Sequence, residues 1–200
     1  SPLLSLQSLQ RLVDGHLAHN RQMSILSGVV ENGSGLGRIN RVPGSKQDVL
    51  GIVEAGDDPN RPAEAIEVNS GVYCFQGTWL WENLQKVGAE AGEERYLTEL
   101  ATIAVRQGES VSALRSDDPV EVLGVNNRVE LANLEDIKRG RIRERLMLNG
   151  VTISDPTSVM IDEGVTIGQD TMILPNTMLL GNTAIWSGCQ IGPGSVVRDS

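Results

Sequence analysis

The chain reads as an α/β protein that ends in a parallel β-helix, the two joined by one long helix. Three observations predict this. Short strand-like and helix-like runs interleave up to residue 128. A heavily charged stretch with helical periodicity follows at 129–149. From residue 161 onward every sixth residue is aliphatic.

Taken in order, Ser5 suits an N-cap, and Leu6, Leu9, Leu12, Val13 and Leu17 follow it at helical spacing. Strands are predicted at 23–30 and 48–54, with the glycine-rich loop Gly33-Ser34-Gly35-Leu36-Gly37-Arg38 between them. A further strand at 65–75 is interrupted at Asn69-Ser70-Gly71, which puts polar residues inside an apolar run. Helices are expected at 78–87 and 97–107, and short strands at 111–115 and 120–123. The segment 129–149 carries Leu131, Leu134, Ile137, Ile142, Leu146 and Leu148 among its charges, so one apolar stripe should face a partner. Gly150 suits its C-terminal stop, and Gly140 is a weak point within it. The expected organisation is 1–128, a linker helix 129–149, and 150–200.

The hexad positions are Ile161, Ile167, Ile173, Leu179, Ile185, Ile191 and Val197. Four residues after each of the first six come Val165, Thr171, Thr177, Thr183, Cys189 and Ser195, all small. Chance alone would give such a run on the order of once in ten thousand. Each hexad supplies one short strand and one turn, so three hexads make a triangular coil. The aliphatic residue points inward, and the small one sits where bulk would clash at the corner. Gly168, Asn176, Asn182 and Gly188 accept the corner backbone. Hexapeptide proteins of this kind wind left-handed, and that hand is expected here by similarity.

Composition narrows the function. Hydrophobic residues make up 40% but aromatics only 3%, so the core must rest on aliphatic side chains. The net charge of −9 argues against nucleic acid or an anionic membrane surface as the main partner. It leaves room for a phosphorylated small molecule, which needs only a local donor pocket or a metal ion. Cys74 and Cys189 are far apart and lack metal-ligand spacing, so two buried thiols in a reducing, cytoplasmic compartment are expected. No run is apolar enough to insert into a membrane, and no signal peptide is visible. The chain opens Ser1-Pro2-Leu3 and ends at Ser200 in mid-pattern, which suggests a fragment.

Four spots in the α/β part stand out together: Gly35-Leu36-Gly37-Arg38-Ile39, Gly51-Ile52-Val53-Glu54, Glu67-Val68-Asn69-Ser70-Gly71 and Gly124-Val125-Asn126-Asn127-Arg128. Alone, each is ordinary: a turn, a solvated strand end, a bulge. In this order, followed by a long helix, Gly150-Val151-Thr152-Ile153-Ser154-Asp155-Pro156 and then hexads, they resemble one family over essentially the whole chain. It is the bacterial bifunctional N-acetylglucosamine-1-phosphate uridyltransferase / glucosamine-1-phosphate N-acetyltransferase. The resemblance implies the C-terminal, sugar-binding half of a Rossmann-like nucleotidyltransferase domain with a mixed sheet, then the start of a left-handed β-helix.

It implies a parent enzyme of peptidoglycan and lipopolysaccharide precursor synthesis. One domain joins UTP and N-acetylglucosamine 1-phosphate with Mg²⁺. The other acetylates glucosamine 1-phosphate from acetyl-CoA, usually as a homotrimer. By the same resemblance Gly37 lets backbone approach the sugar, Glu54 accepts from its hydroxyls and Asn69 adds a hydrogen bond. Tyr96 and Thr98 line the pocket, and Asn126 offers an amide oxygen to the metal. No residue of the chain is expected to act as a catalytic acid, base or nucleophile. Two departures are mild: Glu99 stands where the family has Asp, and Ser70 where Thr is common. Larger ones are the missing nucleotide loop, the missing Gly-Asp pair with its metal-binding aspartate, and the missing acetyltransferase coils. The chain by itself is therefore expected to be inactive. The alternatives are a sugar-1-phosphate nucleotidyltransferase of other specificity and a non-catalytic trimerising module.

Overall fold

Alternation of apolar and small polar residues along Met23–Val30 (β1) gives that strand two different faces. Met23 and Ile25 point into one cluster, while Ser24 meets the helix on the opposite side. The computed structural model describes residues 1–31, 35–58, 64–88 and 95–200. Residues 33 and 34 of the glycine-rich loop lie outside them. The chain divides into two units, Ser1–Val125 and Asn126–Ser200.

The first unit is built on a five-stranded mixed sheet. Its strands are β1, Arg38–Arg41 (β2), Val49–Val53 (β3), Ile66–Phe75 (β4) and Val111–Arg115 (β5), in the order β3-β2-β4-β1-β5. Only β1 and β5 run parallel; the other pairs are antiparallel. Helix α1 (Leu6–Ala18) starts at Ser5, whose Oγ accepts the Ser8 N–H at 3.1 Å. It buries Leu12 and His16. Helices α2 (Gly77–Asn83) and α3 (Glu99–Arg106) contribute Trp79, Leu100, Ala101 and Ala104 to the main core with Met23, Ile25, Ile39, Val49 and Val111.

Two sequence expectations change here. The interruption at 69–71 does not end the strand. β4 runs on for ten residues, and the irregularity becomes a bulge where the register against β1 shifts between Ile25 and Ser27. Gly71 takes φ +77° at that point. The run 120–123 is no strand: Pro119–Val122 forms a 3-10 turn. Asp118 accepts the Val120 N–H at 3.1 Å and Pro119 sets the first turn, so Val122 is buried by a helical turn instead.

The second unit opens with α4 (Arg128–Leu148). Its N-cap Asn127 accepts the Glu130 N–H at 2.9 Å, and Glu130 accepts in return from the Asn126 N–H at 2.6 Å, a variant of the capping box. At the other end Gly150 (φ +91°) donates to the Met147 carbonyl and Val151 to that of Leu146, the Schellman pattern. Only part of the expected stripe is covered: Leu134, Ile142 and Leu146 are buried, while Leu131 and Leu148 are exposed.

The hexads then wind into a three-sided prism of parallel strands. Ile161, Leu179 and Val197 stack on one side, and Ile167 and Ile185 on the second. Ile153, Ile173 and Ile191 stack on the third. Below them lies one core with Ile142, Leu146 and Val151. Thr171, Thr177 and Thr183 are fully buried, and each hydroxyl donates to a backbone carbonyl, at 2.7–2.8 Å. That explains why threonine, not alanine, suits these corners. Cys74 and Cys189 are both free thiols, and both are half-buried rather than buried. Cys189 follows the corner at Gly188.

Among the described residues, no helix is long and apolar enough to cross a membrane.

Candidate functional site

Strand β3 ends at Val53, and the next residue, Glu54, turns into a cavity of about 550 Å³ in the first unit. That size suits a small ligand. One wall is the end of β3 and the turn after it, with Glu54, Gly56 and Asp57. The other is the start of α3, with Tyr96, Thr98, Glu99 and Thr102. Thr98 is buried and its Oγ1 donates to Glu54 Oε1, which holds the carboxylate across the cavity mouth. Glu99 accepts the Gly88 N–H at 3.0 Å.

The glycine at 37 follows from the same crowding. A methyl added there would lie 2.8 Å from Ile52 Cγ2 and 3.3 Å from Glu54 Oε2. Glycine thus lets β2 pass beside Glu54 without pushing it aside. The Gly37 carbonyl accepts the Asn69 N–H at 2.8 Å. The buried Asn69 carboxamide is fixed in turn: its Oδ1 accepts the Gly71 N–H at 2.9 Å, and its Nδ2 donates to Tyr73 Oη at 2.7 Å. Burial pushes the Tyr73 phenol up to about 12; the Asn69 bond pulls against this and the Glu54 charge adds to it.

Of the residues singled out from sequence, Glu54, Tyr96 and Thr98 line this cavity, while Gly37 packs against Glu54 and Asn69 bonds to the Gly37 carbonyl without lining it. The sixth, Asn126, belongs to the second unit, where the capping box of α4 fixes its backbone and leaves its exposed side chain without a hydrogen bond among the described residues. Sequence reasoning missed Asp57, Thr102 and Tyr73. Thr102 could have been found, since it stands one helical turn after Thr98. Tyr73 could not, because only the bulge at 70–72 brings it back to Asn69.

The lining contains carboxylates and hydroxyls but no Lys or Arg among the described residues. Such a surface suits a ligand rich in hydroxyl donors, and it gives a phosphate nothing to pair with. The described residues also hold no cluster of three His, Cys, Asp or Glu side chains fit for a cation.

A second buried polar group lies across the sheet. Glu67 on β4 accepts from Arg41 at 2.5 and 2.7 Å, from Ser27 at 2.6 Å and from Arg115 at 3.2 Å. Burial would raise its pKa, but these bonds outweigh it and hold the carboxyl below the usual range. The cluster knits β1, β2, β4 and β5 together beneath the site.

Residues 164–199 match the hexapeptide family described as "Bacterial transferase hexapeptide (six repeats)". Over all 200 residues the chain is 42% identical to the bifunctional protein GlmU of Fervidobacterium nodosum, of which it covers 42%. It is 38% identical over the same span to that of Geobacter sulfurreducens, covering 42%. It is 40% identical to that of a Geobacillus species, covering 43%. Among solved structures, CMP:2-keto-3-deoxy-manno-octonic acid synthetase complexed with CTP aligns with a TM-score of 0.50 at 12% identity. That alignment covers 70% of this chain and 59% of the other, and it is a likeness of fold.

Proposed function

We infer that this chain, similar from end to end to bifunctional GlmU proteins and spanning about two fifths of their length, is a stretch of such an enzyme. On this reading the first unit holds the sugar side of uridyl transfer. There the phosphate oxygen of N-acetylglucosamine 1-phosphate attacks the α-phosphorus of UTP, pyrophosphate leaves, and UDP-N-acetylglucosamine forms. The second unit carries the opening coils of the partner activity, acetyl transfer from acetyl-CoA to glucosamine 1-phosphate. The parent is a homotrimeric, cytoplasmic enzyme that feeds cell-wall synthesis.

The observation that carries this reading is the Glu54–Thr98 pair at a cavity with acceptors and, among the described residues, no cations, with Gly37 packed beside Glu54 and Asn69 bonded to Gly37. Glu54 accepts from sugar hydroxyls, and Thr98 keeps it in place. Asn69 offers one further amide hydrogen and one carbonyl lone pair. Tyr96 and Thr98 close the wall over the sugar ring. These groups hold the sugar, and through it orient the attacking phosphate; alignment of two phosphates is the main demand of phosphoryl chemistry. Mg²⁺ supplies charge neutralisation when bound, and Asn126 contributes one oxygen to it.

The test is a pair of substitutions in the complete enzyme. Glu54→Gln should raise KM for N-acetylglucosamine 1-phosphate about tenfold or more, the loss of a charge-assisted hydrogen bond. Asn126→Ala should reduce uridyl transfer at least about a hundredfold. Both should leave acetyl transfer intact. Uridyl transfer at near-normal rate and KM in both variants would remove the assignment. The isolated chain should form no UDP-N-acetylglucosamine.

A further inference from the structure

Asn69 is nine-tenths buried, and two contacts fix how its carboxamide is turned. The Gly71 N–H can bond only to an oxygen, so Oδ1 must sit on that side. Nδ2 is then turned toward Tyr73, whose Oη accepts from it at 2.7 Å. Without the phenol, this amide hydrogen would lose its partner in a desolvated place, and the carboxamide would be held on its oxygen side only. The Tyr73 ring itself is held apart from this duty. It packs on the main core beneath β4 and lies 5.7 Å, centroid to centroid, from Phe75.

The phenol hydrogen has no acceptor among the described residues. The hydroxyl thus accepts from a side chain read above as a sugar contact and keeps a donor of its own.

We propose that Tyr73 is a positioning residue of the sugar pocket: its hydroxyl, with the Gly71 N–H, sets the Asn69 carboxamide toward the ligand. This rests on the sugar-pocket reading and extends it to a residue that touches the ligand only through another. The hydroxyl acts on binding geometry and takes no part in bond breaking, so its loss should appear in ground-state affinity.

The experiment uses the complete enzyme with Tyr73→Phe, which keeps the ring and its packing and deletes one oxygen. Affinity for N-acetylglucosamine 1-phosphate, measured calorimetrically, should fall about three- to tenfold, as for one hydrogen bond lost. KM should rise in parallel while kcat changes by less than about twofold. Acetyl transfer serves as the folding control. In an Asn69→Ala background the same Tyr73→Phe change should have no further effect, because the group it positions is gone. Additive losses in the double variant, or a fall in kcat with KM unchanged, would overturn the proposal. If Asn69→Ala itself leaves sugar-phosphate affinity unchanged, the pocket reading fails; if Asn69→Ala weakens binding and Tyr73→Phe does not, only the positioning role fails.

Discussion

At the scale of single residues, the site is governed by what cannot be added. Gly37 is needed for space, since its φ is unexceptional while a methyl there would press on Ile52 and on Glu54. Gly37→Ala must therefore displace Glu54 or bend β2, an overpacking cost of about 1–3 kcal/mol. The expected result in the complete enzyme is a rise in KM for the sugar phosphate of about tenfold, with acetyl transfer unchanged. Unaltered KM would mean that Glu54 is not where the ligand binds. The residue scale is also where sequence reading was sharpest and most incomplete. Gly37, Glu54 and Asn69 stand in motifs whose order carries the family resemblance, although each alone is ordinary. Tyr73 stands in none of those motifs, and an aromatic in a strand is what a strand favours.

At the scale of elements, α4 and the prism show two kinds of local specification. Helix α4 has strong signals at both ends, the Asn127–Glu130 box and the Gly150 Schellman turn, and these place its limits to within a residue of the expected 129–149. Its middle is weaker. Gly140 adopts helical backbone, and a methyl there would meet only Arg143 Nη2, at 4.0 Å. Gly140→Ala should thus stabilise the second unit by about 0.5–1 kcal/mol, read as a higher midpoint in urea unfolding. A lower midpoint would show that the position is packed against something its surroundings do not reveal. The prism depends on repetition instead of caps. Each aliphatic residue stacks on the one eighteen positions later, as Ile161 on Leu179 and Leu179 on Val197. The step from Ile153 to Ile173 is longer, because the Asp155–Ser158 turn precedes the regular hexads.

At the scale of the whole molecule, acid should act in one direction. Burial lowers the pKa of His16, which bonds Ser24 Oγ through Nδ1 at 3.0 Å under α1. Its folded value lies below the unfolded 6.5, so the unfolded chain takes up the proton first. The stability of the neutral form is complete above pH 6.5 and is lost as pH falls through the lowered value. Glu67 follows the same sign lower down, its contribution complete above 4.5 and lost below it as the Arg41 and Arg115 pairs dissolve. Thermal unfolding of the first unit should therefore shift to lower temperature in two steps on acidification. His16→Gln should remove the upper step and leave the lower one. An upper step that survives the substitution would assign it to another group.

The sequence by itself determined the order and type of most elements and the prism with its eighteen-residue stacking. It could do so because periodicity and caps are local properties, readable from neighbours along the chain. Tertiary structure alone decided that β2 is a strand, that 120–123 is a turn, and that Tyr73 meets Asn69. Those depend on hydrogen bonds to partners set by sheet register and by one bulge. Nothing within a few residues of each position records where that partner will be.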